Sequence, residues 1–302
     1  MNPISSISPL NPLNPLSPLS PLSPIFISHG SPMTALEPRA AGAFMQRLGP
    51  AIDAAFGRPQ AVLAVSAHTL ARTPVLLAAP RHQAVYDFGG FDDELYTLRY
   101  DARGAPALAT QVQGLLHGAG IEVQRIEQGG LDHGIWTPLR YMWPAADVPV
   151  LPLAFVPDWS PRRLFEFGAA LAPLAAQGVL VMGSGSITHN LRRVFAGGLR
   201  GDPDAAEIAE SAAFRGWMRE RGAARDWDAL FDYRRAAPHA VDMHPSDEHL
   251  LPWFVAAGAG GRDAAALRLH ASQTHGSLGM DAYAFGSGAA RLQQALAAAA
   301  AA

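Results

Sequence analysis

The 302-residue sequence contains no cysteine. Disulfide bonds, thiolate metal sites, iron–sulfur clusters and a cysteine nucleophile are therefore excluded, and any transition metal must be held by imidazole and carboxylate groups. The sequence also lacks lysine, because all 23 basic residues are arginine. Its net charge of −3 leaves no excess of positive charge for nucleic acid or an anionic membrane. No stretch reaches the roughly 18 consecutive apolar residues of a membrane-spanning helix.

The composition is that of a globular protein with a sizeable core, since 49% of the residues are apolar and 16% are charged. Residues 1–24 differ from the rest, because Pro-Leu preceded by Ser or Asn repeats there in triplets. Proline at every third position predicts an extended or disordered tail, with a proline-motif ligand for a partner domain as the functional alternative. The tail has no basic segment followed by an unbroken apolar one, so we expect a cytoplasmic protein without a secretory signal. Nothing in the sequence indicates an oligomeric state.

Residues 25–302 are predicted to form one domain in which strands alternate with helices. Apolar runs at residues 25–27, 61–65, 148–155 and 178–182 are typical of strands buried on both faces. Helical spacing occurs at residues 35–48, 106–119, 160–175, 204–221 and 246–257. We expect Gly49-Pro50 to end the first of these helices and Ser160 to cap the third. The predicted fold class is α/β, a single-domain sandwich with a mostly parallel or mixed sheet flanked by helices.

Three of the eleven histidines follow predicted strands. His29, His68 and His189 each lie one to seven residues beyond an apolar run. In open α/β sheets, ligand sites assemble at the carboxyl ends of the strands, so these side chains are expected to meet. His133 lies in a glycine-rich loop, which lets backbone approach a ligand closely, and His249 is expected in the first turn of the helix that starts at residue 246.

The other histidines carry no comparable pattern. We interpret His82, His117, His239 and His270 as surface or packing residues. His244 and His275 adjoin motif segments but would equally suit a turn, so their roles stay open.

A histidine-rich centre without cysteine suits zinc or ferrous iron, and the familiar open ferrous site has two histidines and a carboxylate on one face. The third ligand here is either His249 or its neighbour Glu248. Only one of the two can point at a given spot, because adjacent residues on a helix diverge by about 100°. One divalent ion per chain, Zn²⁺ or Fe²⁺, is therefore the expected cofactor.

Six segments surround these histidines and share their order with a known family. They are His29-Gly30-Ser31-Pro32-Met33, Ser66-Ala67-His68, Asp87-Phe88-Gly89-Gly90-Phe91, Leu131-Asp132-His133-Gly134-Ile135-Trp136, Thr188-His189-Asn190-Leu191-Arg192 and Glu248-His249-Leu250-Leu251-Pro252. Together they resemble the DODA-type extradiol ring-opening dioxygenases of the class III, LigB-like superfamily. Each segment alone is a weak signal, but six in order cover essentially residues 25–286, including a terminal Gly276-Ser277-Leu278-Gly279-Met280.

The resemblance implies a LigB-like fold and an enzyme that inserts dioxygen into catechol-type rings such as that of 4,5-DOPA and opens them. It implies that His29, His68 and His249 bind the metal, with His189 close enough to be a fourth ligand in a zinc-loaded form. It also implies that His133 and His189 face the substrate and dioxygen, and that Fe²⁺ supports the reaction. The sequence departs from the family at Thr69, where tryptophan is frequent, and at residues 100–104, where a more proline-rich loop is typical.

The residue types suggest how such a site would work. Histidine, with an unperturbed pKa of about 6.5, exchanges protons in both directions near neutral pH, and we assign this role to His189. His133 is expected to donate a hydrogen bond to an oxygen of the substrate or of dioxygen, with Asp132 orienting its ring. The aromatic residues between positions 86 and 91 either line a pocket for the catechol ring or pack in the core.

Two rival functions would use the same residues. A zinc hydrolase also needs a metal with an open position, at which water is activated. A non-enzymatic binding protein on the same fold would have no need to retain all five histidines. A serine hydrolase is disfavoured, because the sequence has no Gly-x-Ser-x-Gly segment.

Overall fold

The computed structural model describes residues 21–196 and 201–301, in which strands alternate with helices as the sequence predicts. The strands are β1 (Ile25–Ser28), β2 (Ala61–Ser66), β3 (Val75–Leu77), β4 (Arg81–His82), β5 (Ala102–Arg103), β6 (Gln124–Ile126), β7 (Val150–Ala154), β8 (Val179–Gly185), β9 (Leu267–His270), β10 (Gln273–Thr274), β11 (Leu278–Gly279) and β12 (Ala282–Ala284). The helices are α1 (Arg39–Phe56), α2 (Pro106–Gly118), α3 (His133–Met142), α4 (Pro161–Ala169), α5 (Leu191–Phe195), α6 (Ala209–Ala224), α7 (Trp227–Phe231), α8 (Tyr233–Ala236), α9 (Ala240–Met243), α10 (Leu251–Gly260) and α11 (Ala289–Ala301). Ser160 caps α4 as predicted.

Eight of these strands form one mixed sheet in the order β6-β3-β7-β2-β8-β1-β12-β9. The central strands β7, β2, β8 and β1 run parallel, whereas β3 and β12 pair antiparallel with β7 and β1. Every residue of the four central strands is buried, as expected for a parallel sheet covered on both faces. The predicted α/β sandwich with a mixed sheet is confirmed.

Alternate residues of the central strands enter two hydrophobic cores, one on each face of the sheet. In β2, Leu63 and Val65 pack in the first core, whereas Val62 and Ala64 pack in the second. Helices α2, α4 and α10 contribute to the first core, and helices α1, α3 and α11 contribute to the second. Burial of one large apolar side chain stabilises a fold by about 1.5–3 kcal/mol, so both faces hold the sheet in place. None of the described helices is long and apolar enough to cross a bilayer.

The chain joins this fold at Leu22, within the predicted tail of residues 1–24, of which residues 1–20 lie outside the described part of the chain. Leu22 is buried, and its backbone N–H donates to the carbonyl oxygen of Ala175 at 3.0 Å. The Ser23 hydroxyl donates to the carbonyl oxygen of Phe285 at 2.6 Å. Residues 22–24 therefore pack with the domain and lead directly into β1.

Helix α1 continues through Gly49-Pro50, so the prediction that it ends there is wrong. A Cβ atom on Gly49 would lie 2.1 Å from the carbonyl oxygen of Met142. The glycine therefore allows α1 to approach α3 closely. Pro50 removes one backbone hydrogen bond, and burial of the helix face that carries Leu48 and Ile52 outweighs this loss.

Helix α10 begins at Leu251, so the prediction that His249 lies in its first turn is wrong. His249 lies in the preceding turn, where its carbonyl oxygen accepts the backbone N–H of Ser186 at 2.9 Å. This bond holds His249 beside the end of β8 instead of in the helix. Pro252 suits the first turn of α10, because its missing N–H would have no partner within the helix.

Candidate metal centre

Three histidines lie where neighbouring parallel strands end. His29 follows β1 directly, His68 lies two residues after β2, and His189 lies four residues after β8. Strands β1, β8 and β2 are adjacent in the sheet, so their carboxyl ends open onto the same space. The strand order thus places the three side chains at one edge of the sheet, as the sequence predicts.

Two more histidines reach this edge from other elements. His133 is the first residue of α3, and its ring centroid lies 5.1 Å from that of His29 and 4.2 Å from that of His68. The His249 ring lies 4.9 Å from the His68 ring and stacks on the His189 ring, with centroids 3.5 Å apart and an interplanar angle of 9°. These five residues, His29, His68, His133, His189 and His249, form what we call the histidine cluster.

The ring nitrogens of the histidine cluster fall into two neighbouring groups. The Nε2 atoms of His29 and His68 lie 3.2 Å apart, and a ring nitrogen of His133 completes a group within 4.8 Å. Ligand atoms of His189, Glu248 and His249 also lie within 4.8 Å of one another. The His249 ring centroid is 5.5 Å from that of His29, so the two groups face each other across a short distance.

A hydroxyl group sets the orientation of His29. Ser184, on β8, donates its hydroxyl hydrogen to the carbonyl oxygen of Gly134 and lies 2.9 Å from Nδ1 of His29. Since that hydrogen is already used, Nδ1 of His29 is the donor and the Ser184 oxygen is the acceptor. The Nε2 atom of His29 then carries a lone pair that faces His68. Sequence reasoning missed Ser184, whose only signal is its place at the end of an apolar strand.

Glu248 is the hydrogen-bond partner of His249. Its Oε1 accepts from Nδ1 of His249 at 3.0 Å and from the hydroxyl of Ser246 at 3.1 Å. Burial raises the pKa of Glu248, but the hydrogen bonds from His249, from the backbone and from Ser246, together with the charge of His249, outweigh it, and the pKa falls to about 2. The carboxylate is therefore ionised, and it holds the His249 ring with Nε2 free.

The carboxylate that orients His133 is Asp87, not Asp132 as predicted. Asp132 accepts hydrogen bonds from the hydroxyls of Ser66, at 2.7 Å, and Thr69, at 2.5 Å. Asp87 accepts the backbone N–H of His133 at 2.9 Å, and its two carboxylate oxygens lie 3.0 and 3.1 Å from Nδ1 of the same residue. Asp87 lies in one of the six segments shared with the family, but its contact with His133 was not predicted, because 46 residues separate the two.

Burial lowers the pKa values of three histidines of the cluster. It brings the pKa of His29 well below its ordinary value, that of His68 to about 3 and that of His189 to about 2, with the neighbouring histidines adding to each effect. These imidazoles are therefore neutral near pH 7. Their lone pairs are available to bind a cation or to accept a proton.

His189 is held less firmly than the other members of the cluster. Its backbone N–H donates to the carbonyl oxygen of Met243 at 2.9 Å. Neither of its ring nitrogens has a hydrogen-bond partner among the described residues, and the ring is fixed by stacking on His249. His189 and His68 are partly exposed, whereas the other three histidines are at most 5% exposed, so the cluster opens to solvent on the side of His189 and His68.

An aromatic loop, residues 86–91, stands over His133. The Phe88 ring meets the His133 ring edge to face, with centroids 5.7 Å apart. Phe88 and Phe91 are both partly exposed, contact each other at 5.6 Å and pack on the second core. Both roles considered for these residues, core packing and a wall beside the site, are thus compatible with their positions.

The remaining histidines lie outside the cluster. His244 is fully buried, and its Nε2 lies 2.9 Å from the carbonyl oxygen of Ile187. This contact gives His244 a structural role. His270 stacks on Phe44 with centroids 4.6 Å apart. His82 is buried, and His117 is exposed. Sequence reasoning therefore separated the clustered histidines from the others.

The donor set fits a divalent transition metal. Two imidazole nitrogens bound to one ion at about 2.0–2.1 Å, with an angle between about 90° and 110°, lie about 2.8–3.4 Å apart. The observed 3.2 Å between Nε2 of His29 and Nε2 of His68 falls in this range. Both rings are neutral near pH 7, and Ser184 behind His29 leaves its Nε2 unprotonated. Imidazole and carboxylate donors suit zinc or ferrous iron.

Comparison with known proteins shows similarity to aromatic ring-opening dioxygenases. Residues 23–286 match the LigB family, described as the catalytic LigB subunit of aromatic ring-opening dioxygenase. The chain is 35% identical over 264 residues to the 4,5-DOPA dioxygenase extradiol of Beta vulgaris, covering 86% of this chain and 95% of that protein. It is 31% identical over 240 residues to the protein of that name from Escherichia coli K12, covering 78% and 84%. The crystal structure of an uncharacterized protein from Escherichia coli K12 is similar with a TM-score of 0.69 and 27% identity, covering 88% of this chain and 100% of that chain.

Proposed function

This chain belongs to the LigB family of aromatic ring-opening dioxygenases, and from that premise we propose that it is a metal-dependent extradiol dioxygenase of catechol-type rings. The observation that carries the proposal is the histidine cluster, with the Nε2 atoms of His29 and His68 3.2 Å apart. A zinc hydrolase would use the same donors. The names of the relatives favour dioxygen chemistry over hydrolysis, and 4,5-DOPA in those names supports a catechol with an amino-acid side chain as substrate.

His29, His68 and His249 hold the metal in this proposal, and His189 is close enough to be a fourth ligand when zinc is bound. The Nδ1 partners of His29 and His249, Ser184 and Glu248, support these assignments, because a ligand histidine usually donates its other N–H to a fixed acceptor. His133 is the rival ligand, because its ring centroid lies 5.1 Å from that of His29 and 4.2 Å from that of His68, compared with 5.5 and 4.9 Å for His249. We therefore expect His249→Gln to lose the metal and His133→Gln to retain it, measured by elemental analysis after dialysis.

When bound, the metal supplies a cationic centre with open positions, which lowers the pKa of the catechol hydroxyls and lets electrons of the ring reach dioxygen. His189 takes a proton from one of those hydroxyls and returns a proton as the ring opens. Its opening to solvent supports this role. Since no described side chain is hydrogen-bonded to its ring, either nitrogen of His189 can carry the proton.

His133 acts from the opposite side of the cluster. Because Asp87 accepts from Nδ1, a neutral His133 presents an unprotonated Nε2, which accepts a hydrogen bond from a catechol hydroxyl. Only the doubly protonated ring would donate from Nε2. The donor role expected of His133 therefore requires its ring to hold a second proton.

The proposal is tested by oxygen uptake. The protein is purified without oxygen, loaded with Fe²⁺ and mixed with a panel of catechols that includes DOPA, while oxygen consumption and a yellow semialdehyde product are followed. We expect uptake and product with at least one catechol, and none with the corresponding monophenols. Absence of uptake across the panel, with bound iron verified, would contradict the dioxygenase proposal.

A further inference from the structure

We infer that Asp87 is a positioning residue, whose single carboxylate fixes the ring orientation and the proton-bearing nitrogen of His133 and also faces His68. The catalytic consequence of this inference rests on the proposed function. Its structural content, the tautomer of the His133 ring, does not.

The contacts to His133 are the closest. Asp87 receives both the backbone N–H of His133, at 2.9 Å, and its Nδ1, at 3.0 and 3.1 Å from the two carboxylate oxygens. His133 is the first residue of α3, whose preceding residue, Asp132, makes no capping hydrogen bond. Asp87 thus supplies from a distant loop an acceptor for the unpaired N–H at the start of this helix. Helix and ring are held by the same carboxylate.

The contact to His68 is longer and is electrostatic, without a hydrogen bond. Nδ1 of His68 lies 3.5 Å from Oδ2 of Asp87, and no other carboxylate is found that close to it among the described residues. The Nε2 atom of His68 faces Nε2 of His29. When a metal binds, a hydrogen on Nδ1, favoured by the Asp87 carboxylate, leaves Nε2 of His68 free as a donor to the metal. The same carboxylate therefore serves both histidines.

Asp87 belongs to the aromatic loop, so the position of that loop and the orientation of the histidines are coupled. The next residue, Phe88, contacts the His133 ring. The Tyr86 hydroxyl anchors the loop by donating to the carbonyl oxygen of Leu98 at 2.6 Å. After Phe88, Gly89 and Gly90 have no neighbouring atom within 4 Å of an added Cβ, and Gly90 has a φ of +78°. The loop is thus fixed by a hydrogen bond just before Asp87, whereas the two glycines after Phe88 do not pack against other residues.

The direct test is the tautomer of the His133 ring. In metal-free protein labelled with ¹⁵N-histidine, two-bond couplings report which nitrogen carries the hydrogen, and the signals of His133 and His68 are assigned by their loss in His133→Gln and His68→Gln. We expect Nδ1–H for His133 in the wild type, and mixed tautomers of this ring in Asp87→Asn, whose amide can donate or accept, whereas without metal Nε2 of His68 donates to Nε2 of His29. Nε2–H at His133 in the wild type, or an unchanged tautomer in Asp87→Asn, would overturn the inference.

The functional readout uses matched variants. Asp87→Asn is expected to weaken zinc binding or to lower kcat by about 10–100-fold, as loss of a partner behind a ligand usually does. Asp87→Glu, which keeps the carboxylate on a longer side chain, should recover part of the loss. Asp93→Asn, the same change at an exposed carboxylate a few residues further on, should behave as wild type. Wild-type zinc affinity and kcat in Asp87→Asn would refute the positioning role.

The two proposals fail in different ways. If the tautomers and zinc affinity respond to Asp87→Asn while no catechol supports oxygen uptake in the wild type, the positioning role stands and the dioxygenase proposal is wrong. If oxygen uptake is normal and Asp87→Asn changes neither tautomer nor turnover, the positioning role is wrong and the dioxygenase proposal stands.

Discussion

The two sides of the histidine cluster are built differently. On one side, His29 and His133 are buried and each donates Nδ1–H to a fixed partner, Ser184 or Asp87. On the other side, His189 is partly exposed, and among the described residues its ring has no hydrogen-bond partner and stacks on His249. Rings with a fixed Nδ1 partner keep one nitrogen aimed at one point, which suits the binding of a cation, as proposed for His29, or of a catechol hydroxyl, as proposed for His133. A ring without a partner can change its proton-bearing nitrogen, which suits proton transfer.

The largest expected effect is at the fixed side. His29→Ala should abolish metal binding and turnover, because it removes the ring whose Nε2 lies 3.2 Å from Nε2 of His68. Metal content after loading and dialysis is measured by elemental analysis, and an unchanged melting temperature checks the fold. His117→Ala is the matched control, since the side chain of His117 is 75% exposed. Full occupancy in His29→Ala would show that the fixed side is not the metal site.

At the unfixed side the expected effect is on turnover. His189→Ala should retain metal held by the other histidines but lose about 100-fold or more in kcat, as expected for loss of an acid–base group. The measurement is oxygen uptake normalised to bound iron. Near wild-type kcat in this variant would remove His189 as the proton-transfer group, and the contrast between the two sides would have no catalytic meaning.

Glu248 tests whether His249 belongs with the fixed side. Glu248→Gln removes the charge that faces Nδ1 of His249 at 3.0 Å while keeping a similar shape. We expect zinc affinity to fall about 10-fold, measured by competition with a chromophoric chelator. Glu220→Gln, at an exposed position, serves as the control. Unchanged affinity in Glu248→Gln would argue that His249 is not a ligand.

The smallest expected effect is that of mild acid on metal binding. Protons compete with the metal for imidazole nitrogen, so binding is lost as pH falls through the pKa values of the folded protein. Those values are lowered to about 3 for His68 and about 2 for His189. Between pH 7 and 5.5 zinc affinity should therefore fall by no more than about tenfold, the loss that a single imidazole with a pKa of 6.5 would cause, whereas three such ligands would weaken it several hundredfold. A loss of that larger size over this interval would contradict the lowered pKa values.

The sheet and the histidines at its edge could be predicted from the sequence because both depend on local patterns. Apolar runs identified the buried strands, and the residue just after each run, such as His29 or His68, had to lie at the carboxyl edge if the strands were parallel. Helix ends were predicted less well. Gly49-Pro50 carries the local pattern of a stop, but the close contact with Met142 explains the glycine and keeps the helix intact.

The partners behind the histidines could not be predicted from the sequence. Asp132 is adjacent to His133 and was the natural choice, yet its carboxylate bonds to Ser66 and Thr69. Asp87, 46 residues before His133, takes its place. A carboxylate that meets a ring from another loop leaves no spacing signal in a single sequence, so only the three-dimensional arrangement reveals it.

Heavy-oxygen labelling tests the central claim most directly. The Fe²⁺-loaded protein is supplied with ¹⁸O₂ and a catechol that it consumes, and the ring-opened product is examined by mass spectrometry. We expect heavy oxygen in the new carboxylate, because an extradiol dioxygenase places both atoms of O₂ in the product and a carboxylate does not exchange its oxygen with water on this timescale. A ring-opened product that contains no heavy oxygen would contradict the account.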